Sequence, residues 1–235
     1  MHIEEYVYYF SAPRLNRYLE ATNQDPLKAI ALYKANLRIA QAFHPLLGVL
    51  EVAVRNRLND VLCDHFDDND WILNQRSGFM ADPSLTFTYK KTGKRKTNDF
   101  LRKQVDNAEK RLQRARTSVT SGKVIAEQTL GFWTNLFEVH YYRILKGKPI
   151  QIFKSLPPGG GRKQINDELE KIRLFRNRIN HNEPICFSGN TADFASALEA
   201  YQAIMDISTW IDPHLTTMMK ELGAVQEAID VAEKI

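Results

Sequence analysis

Between Leu46 and Leu62 the apolar residues Leu46, Leu47, Leu50, Val54, Leu58, Val61 and Leu62 recur every three or four positions. That is the helical period, so this stretch must lay one face of a helix against a core. The same spacing returns at Leu27, Ile30, Tyr33 and Leu37, and at Ile165, Leu169, Ile172, Phe175 and Ile179. It returns again at Phe194, Leu198, Tyr201, Ile204, Met205 and Ile211, and at Leu215, Met219, Leu222, Val225 and Ile229. Helix starts are expected at Ser11 before Ala-Pro, at Asp25-Pro26, at Thr191 and at Asp212-Pro213. Pro45 is expected to break or kink the helix arriving at Phe43. The aromatic stretch from Thr129 to Leu145 reads as one helix, and Lys163 to Asn180 as another. No long linker divides the 235 residues. The expected architecture is therefore one all-α domain spanning residues 1–235, with an irregular insertion at about 76–98 and C-terminal helices at about 191–235.

Charge is unevenly spread. The chain carries 32 basic and 28 acidic side chains, a net +4. Eleven Lys and Arg lie between Lys90 and Arg116 against three acids, so that stretch alone is +8. They include Lys90, Lys91, Lys94, Arg95, Lys96, Arg102, Lys103, Lys110 and Arg111. Such a concentration suits a polyanionic partner such as RNA, and it equally suits a solvated helix face beside a loop. LTFTY followed by KKTGKRKT reads either as a small β-hairpin turning at Gly93 or as a basic loop.

One constellation carries chemistry: Arg176-Asn177-Arg178-Ile179-Asn180-His181, followed by Asn182-Glu183-Pro184-Ile185. Arg176 stands four residues after Ile172 and three before Ile179, so it falls on the apolar stripe. A guanidinium there must be paired internally, exposed in a cleft or placed at a protein–protein seam. His181 is five residues on, about 140° around an ideal helix. Asn177, four before His181, is placed to bond its ring, and Pro184 is expected to end the helix near His181. A similar hexapeptide, Arg55-Asn56-Arg57-Leu58-Asn59-Asp60, has aspartate where the histidine would stand.

Arg-Asn-x-x-x-His after an amphipathic helix resembles the R-x4-6-H motif of the HEPN superfamily. The continuation His-Asn-Glu-Pro-Ile narrows the resemblance to the Abi-like family of bacterial abortive-infection proteins. Leu50-Glu51-Val52-Ala53-Val54-Arg55-Asn56 is similar to that family's N-terminal helix. Thr129-Leu130-Gly131-Phe132-Trp133-Thr134-Asn135-Leu136 is similar to its middle segment, with the usual Ser-Phe-Gly order altered. The resemblance implies a HEPN-like helical bundle, commonly dimeric, of phage-defence or toxin–antitoxin type. Many HEPN proteins are metal-independent endoribonucleases whose Arg and His from two subunits meet across a two-fold axis. Carried onto this chain, the catalytic positions are Arg176, Asn177 and His181, with Glu51, Arg55, Arg178 and Glu183 as supporting candidates.

The side chains suit that chemistry. RNA supplies its own 2′-OH nucleophile, an imidazole can move its proton, and a guanidinium can hold the phosphate. The six histidines are scattered and no His-Glu-x-x-His occurs, so neither a metal site nor another cofactor is expected. Two cysteines, Cys63 and Cys186, do not make a disulfide framework and fit a reducing cytoplasm. No window of about eighteen uncharged apolar residues is present, so no membrane partner is expected. The expected partners are an RNA substrate, a regulatory RNA and a second copy of the chain, and the sequence names no antitoxin. The alternative reading is a non-catalytic RNA-binding or regulatory module.

Overall fold

The computed structural model describes residues 2–89 and 91–235. It is mainly helical, and its only strands among the described residues form two two-stranded sheets. By its internal contacts the chain divides into two compact units.

The first unit gathers the N-terminal stretch to Val49, Lys171–Thr209 and Pro213–Ile235. It holds α1 (Ile3–Phe10), α2 (Ala12–Ala21) and the first part of α3 (Pro26–Phe66). It also holds the end of α9 (Arg162–Asn180), most of α10 (Ala195–Ile211), α11 (Pro213–Leu222) and α12 (Val225–Ala232). Asp25 starts α3 as expected, its Oδ1 accepting the N–H groups of Leu27 at 2.9 Å and Lys28 at 3.2 Å. The core of this unit contains Leu15, Tyr18, Ile39, Phe43, Phe175, Ile179, Ile185, Ile204 and Ile229, all buried. Phe43 and Phe175 meet with ring centroids 4.7 Å apart.

Three expectations change here. Pro45 does not end a helix, because α3 runs unbroken for 41 residues. Proline denies the Gln41 carbonyl its helical partner, but Gln41 and Pro45 are exposed, where water can satisfy that carbonyl. Buried Phe43, Leu46 and Leu47 hold the helix on either side. The helix start at Ser11 holds, since α2 begins at Ala12, but the capping bond does not form: Ser11 sits at φ 70° and its side chain caps nothing. Thr191 does not cap a helix either: it lies in β4 (Thr191–Ala192), paired antiparallel with β3 (Phe187–Ser188). Asp193 supplies the cap of α10, its Oδ1 accepting from Ala195 N–H at 2.6 Å. By length and apolarity α3 is the one helix among the described residues able to cross a bilayer. Its Ile39, Phe43, Leu46, Leu50 and Val54 are nonetheless packed inside the protein.

The second unit gathers Leu50–Glu170 and Trp210–Asp212. After α3 come α4 (Trp71–Asn74), the hairpin β1 (Thr86–Thr88) and β2 (Arg95–Thr97), and α5 (Phe100–Arg114). Three short helices follow, α6 (Ser121–Ala126), α7 (Leu130–Asn135) and α8 (Val139–Ile144). The segment from Thr129 to Leu145 is thus two helices rather than one. Glu138 is extended at ψ 142° and restarts the chain by accepting the His140 N–H at 2.9 Å. The core is aromatic: Trp71, Phe132, Trp133, Phe137 and Tyr141 are fully buried. Trp71 Nε1–H donates to Asn59 Oδ1 at 3.0 Å, which satisfies the one polar atom of that indole.

Candidate catalytic and nucleic-acid-binding residues

The motif sits where α9 stops. His181 N–H donates to the Asn177 carbonyl at 3.0 Å, the last i→i−4 bond of the helix. Asn182 N–H then donates back to the Ile179 carbonyl at 3.0 Å, and Glu183 N–H to the Arg178 carbonyl at 2.8 Å. This pair of bonds is the Schellman closure, with His181 at the C-cap and Asn182 in the left-handed conformation at φ 53°. Asparagine tolerates that conformation better than other side chains with a Cβ. Pro184 follows the closure and cannot continue the helix.

This closure places the side chains. The helix stays regular to its cap, so Arg176 and His181 keep the angle of about 140° and an axial offset of about 7.5 Å. Arg176 and Asn177 are half-buried, whereas His181, Asn182 and Glu183 are exposed. The His181 imidazole makes no hydrogen bond among the described residues, so Asn177 does not hold the ring as expected. Arg178 turns toward the loop, where its Nη2 donates to the Pro184 carbonyl and its Nε stands 3.9 Å from Glu183 Oε2. Arg178 and Glu183 are therefore parts of the turn itself.

Two other elements clamp the same segment. Arg14 on α2 donates through Nη2 to the Asn182 carbonyl. Asn36 on α3 is 2 % exposed, and its Oδ1 accepts the buried N–H of Ile185 at 2.8 Å. Farther along, Arg17 Nη2 donates to the Gly189 carbonyl at 2.6 Å while its guanidinium lies 4.4 Å over the Phe187 ring. Phe187 also meets Tyr18 edge-on at 5.0 Å. Burial pushes the nearby Cys186 thiol up to about 12, and the Tyr18 hydroxyl upward as well. Both groups are thus held neutral in the core, and neither has the thiolate or phenolate character of a nucleophile.

Sequence reasoning missed Arg14 and Asn36. Asn36 did leave a signal, a polar residue four beyond Leu32 and three before Ile39 on the buried face of α3. Arg14 left none, because its partner is 168 residues away.

The basic run belongs to the second unit. Of the two readings of its first part, the hairpin is the one formed, with Thr86 opposite Thr97, Phe87 opposite Lys96 and Thr88 opposite Arg95. Gly93 takes φ 65° in the turn, and its N–H donates to the Tyr89 carbonyl at 2.9 Å. Lys91, Lys94, Arg95 and Lys96 are exposed, while Lys90 lies outside the described residues. The helix α5 buries Leu101, Val105, Ala108 and Leu112, which leaves Arg102, Lys103 and Lys110 on its solvent side. Lys103 pairs with Asp99 at 2.9 Å, one turn before it on the helix. Arg111 is bound to Glu127 through both Nε–Oε2 at 2.7 Å and Nη2 to the carbonyl at 3.1 Å. Arg76 neutralises the acids Asp106 and Glu109. The Tyr141 hydroxyl ties the hairpin to α5, donating to the Asn98 carbonyl at 2.9 Å and accepting from Leu101 N–H at 3.4 Å.

Of the remaining candidates, Glu51 and Arg55 are half-buried on α3 in this second unit. Arg55 Nε approaches Asn56 Oδ1 at 3.4 Å. The aspartate-ended hexapeptide has structural partners: Arg57 pairs with Asp60 at 2.6 Å, and Asn59 receives Trp71.

A mainly helical protein with a capped Arg-x4-His helix end and a basic β-hairpin is the class these features define. The chain belongs to the family described as Abi-like protein, whose model matches residues 1–186. The match runs through α9 and its closing turn and stops before β3. Neither the curated proteins nor the solved structures give a match. Membership in this family points to a function of the abortive-infection type.

Proposed function

We propose that this protein is a HEPN-type, metal-independent endoribonuclease of an abortive-infection or toxin-type phage-defence system, acting as a homodimer. The observation that carries the proposal is the capped end of α9: an exposed histidine, followed by a turn that three elements brace, about 1.4 turns beyond a half-buried arginine. The angle of about 140° between them separates the pair within one helix. Two such helices packed around a two-fold axis would bring the arginine of each copy toward the histidine of the other.

In this reading one His181 removes the proton of the ribose 2′-OH, which attacks the adjacent phosphorus. The 5′ oxygen leaves and takes a proton from the second His181. The products are a 2′,3′-cyclic phosphate end and a 5′-hydroxyl end. Arg176 holds the charge that develops on the non-bridging oxygens. The exposed cations of the hairpin and α5 attract RNA phosphates, a sequence-independent and salt-sensitive attraction.

The test is incubation of the purified protein with mixed RNA, with and without a chelator. Chelator-insensitive cutting that leaves 2′,3′-cyclic phosphate ends supports the proposal. RNA retained without cutting favours the second reading, a non-catalytic RNA-binding module, for which the exposed basic hairpin speaks on its own.

A further inference from the structure

The turn after His181 is bracketed by two guanidinium groups, and the chemistry proposed above needs only one arginine, Arg176. Arg14 reaches it from α2 and Arg178 from α9, and each bonds a backbone carbonyl rather than a full carboxylate partner. Among the described residues Glu183 is the one acid that pairs with either, at 3.9 Å from Arg178. Arg14 uses Nη2 for the Asn182 carbonyl, and its Nε is shut from solvent with no partner among the described residues. A guanidinium carries five N–H donors in a rigid plane and matches a phosphate better than any other side chain. Its planar fork therefore retains N–H donors at the turn that follows His181.

We propose that Arg14, together with Arg178, forms a phosphate-binding site at the His181–Pro184 turn, which holds a phosphodiester of the RNA strand next to the one being cut. This rests on the ribonuclease reading for the identity of the strand, and the anion site itself does not require cleavage. Arg14 then serves two purposes through one side chain: Nη2 fixes the turn, and Nη1 serves the strand. Arg17, three residues along α2, is the internal comparison. Its guanidinium lies over Phe187 and bonds Gly189, away from the His181 turn in sequence.

The experiment uses the full chain and a fluorescent 2′-O-methyl RNA oligomer, which lacks the nucleophile and cannot be cut. Affinity is measured across a range of salt for the parent, R14Q and R17Q. Each phosphate contact on a single strand contributes about 0.7 to the slope of log K against log salt. R14Q should lower that slope by about 0.7 and weaken binding severalfold at low salt, while R17Q leaves the slope at the parent value. A turn that is merely loosened would change affinity without changing the slope. An R14Q slope equal to the parent, or an equal fall in R14Q and R17Q, overturns the proposal. A second measurement needs no variant: titrating inorganic phosphate into the parent should shift the His181 ring proton resonances saturably, against chloride at matched ionic strength. A straight, unsaturated response equal to that of chloride would overturn it too. A protein that never cuts RNA yet shows the R14Q slope change loses the ribonuclease reading and keeps this site.

Discussion

Replacing Asn36 by alanine probes the brace that holds the motif turn. Asn36 is 2 % exposed, and its carbonyl oxygen is the partner of the buried Ile185 N–H, 149 residues away, at 2.8 Å. Alanine removes the acceptor and leaves that N–H in a site sealed from water. An orphaned buried donor costs about 1–3 kcal/mol, and the missing amide group adds a small void. We expect N36A to lose about 2 kcal/mol, which for a chain of this size lowers Tm by roughly 4–8 °C. Arg38→Ala on the exposed side of α3 is the control and should stay within about 0.5 kcal/mol of the parent. Hydrogen exchange gives the local readout: the Ile185 amide should be among the slow amides in the parent and fast in N36A. Unchanged protection of Ile185, with a stability loss no larger than that of R38A, would refute the brace.

Asn182 stands at φ 53°, so N182V should destabilise the chain by about 1–2 kcal/mol in urea unfolding, whereas N182G should be near neutral. In alkali, burial holds the Cys186 thiol at about 12 against an ordinary 9.0 and the Tyr141 phenol at about 12 against 10.0. The folded chain therefore keeps protons that the unfolded chain has released between about pH 9 and 12, and stability falls as pH rises through that window. C186A should unfold with a shallower pH dependence than the parent there, and identical slopes would count against the assignment. If both acid and base come from His181 of two copies, mixing parent with an equal amount of H181A and re-equilibrating the dimers should leave fully competent dimers at about a quarter of the total. Activity should then be about half that expected of independent subunits.

Much of the fold was legible because helices announce themselves locally. The stripe Ile165–Leu169–Ile172–Phe175–Ile179 placed α9 to within a residue of its observed start, and Gly93 marked the hairpin turn by its tolerance of positive φ. The misreadings share one cause, competition between several plausible local signals. Thr191 and Asp193 both resemble N-caps, and only the pairing of Thr191 with Ser188 decides for Asp193. Trp133, Phe137 and Tyr141 keep a helical spacing across Glu138, so the pattern hides the break that its side chain makes. Pro45 carried a strong local penalty that the buried residues around it outweigh.

The site divides the same way. The candidates Arg176 and His181 stand out in the sequence because they lie within six residues of each other. Their supports do not, because Arg14 and Asn36 reach the turn through the fold rather than along the chain. Arg178, read as a supporting residue of the chemistry, bonds Pro184 and so helps close the turn.

The most direct test of the central claim compares H181A with the parent in two assays on the same preparation. One follows the initial rate of cleavage of a defined RNA with chelator present, and the other follows affinity for its 2′-O-methyl counterpart. We predict that H181A binds the uncuttable strand within about threefold of the parent and loses cleavage by at least about a hundredfold, the scale of general acid–base catalysis. Cleavage by H181A at the parental rate would contradict the account.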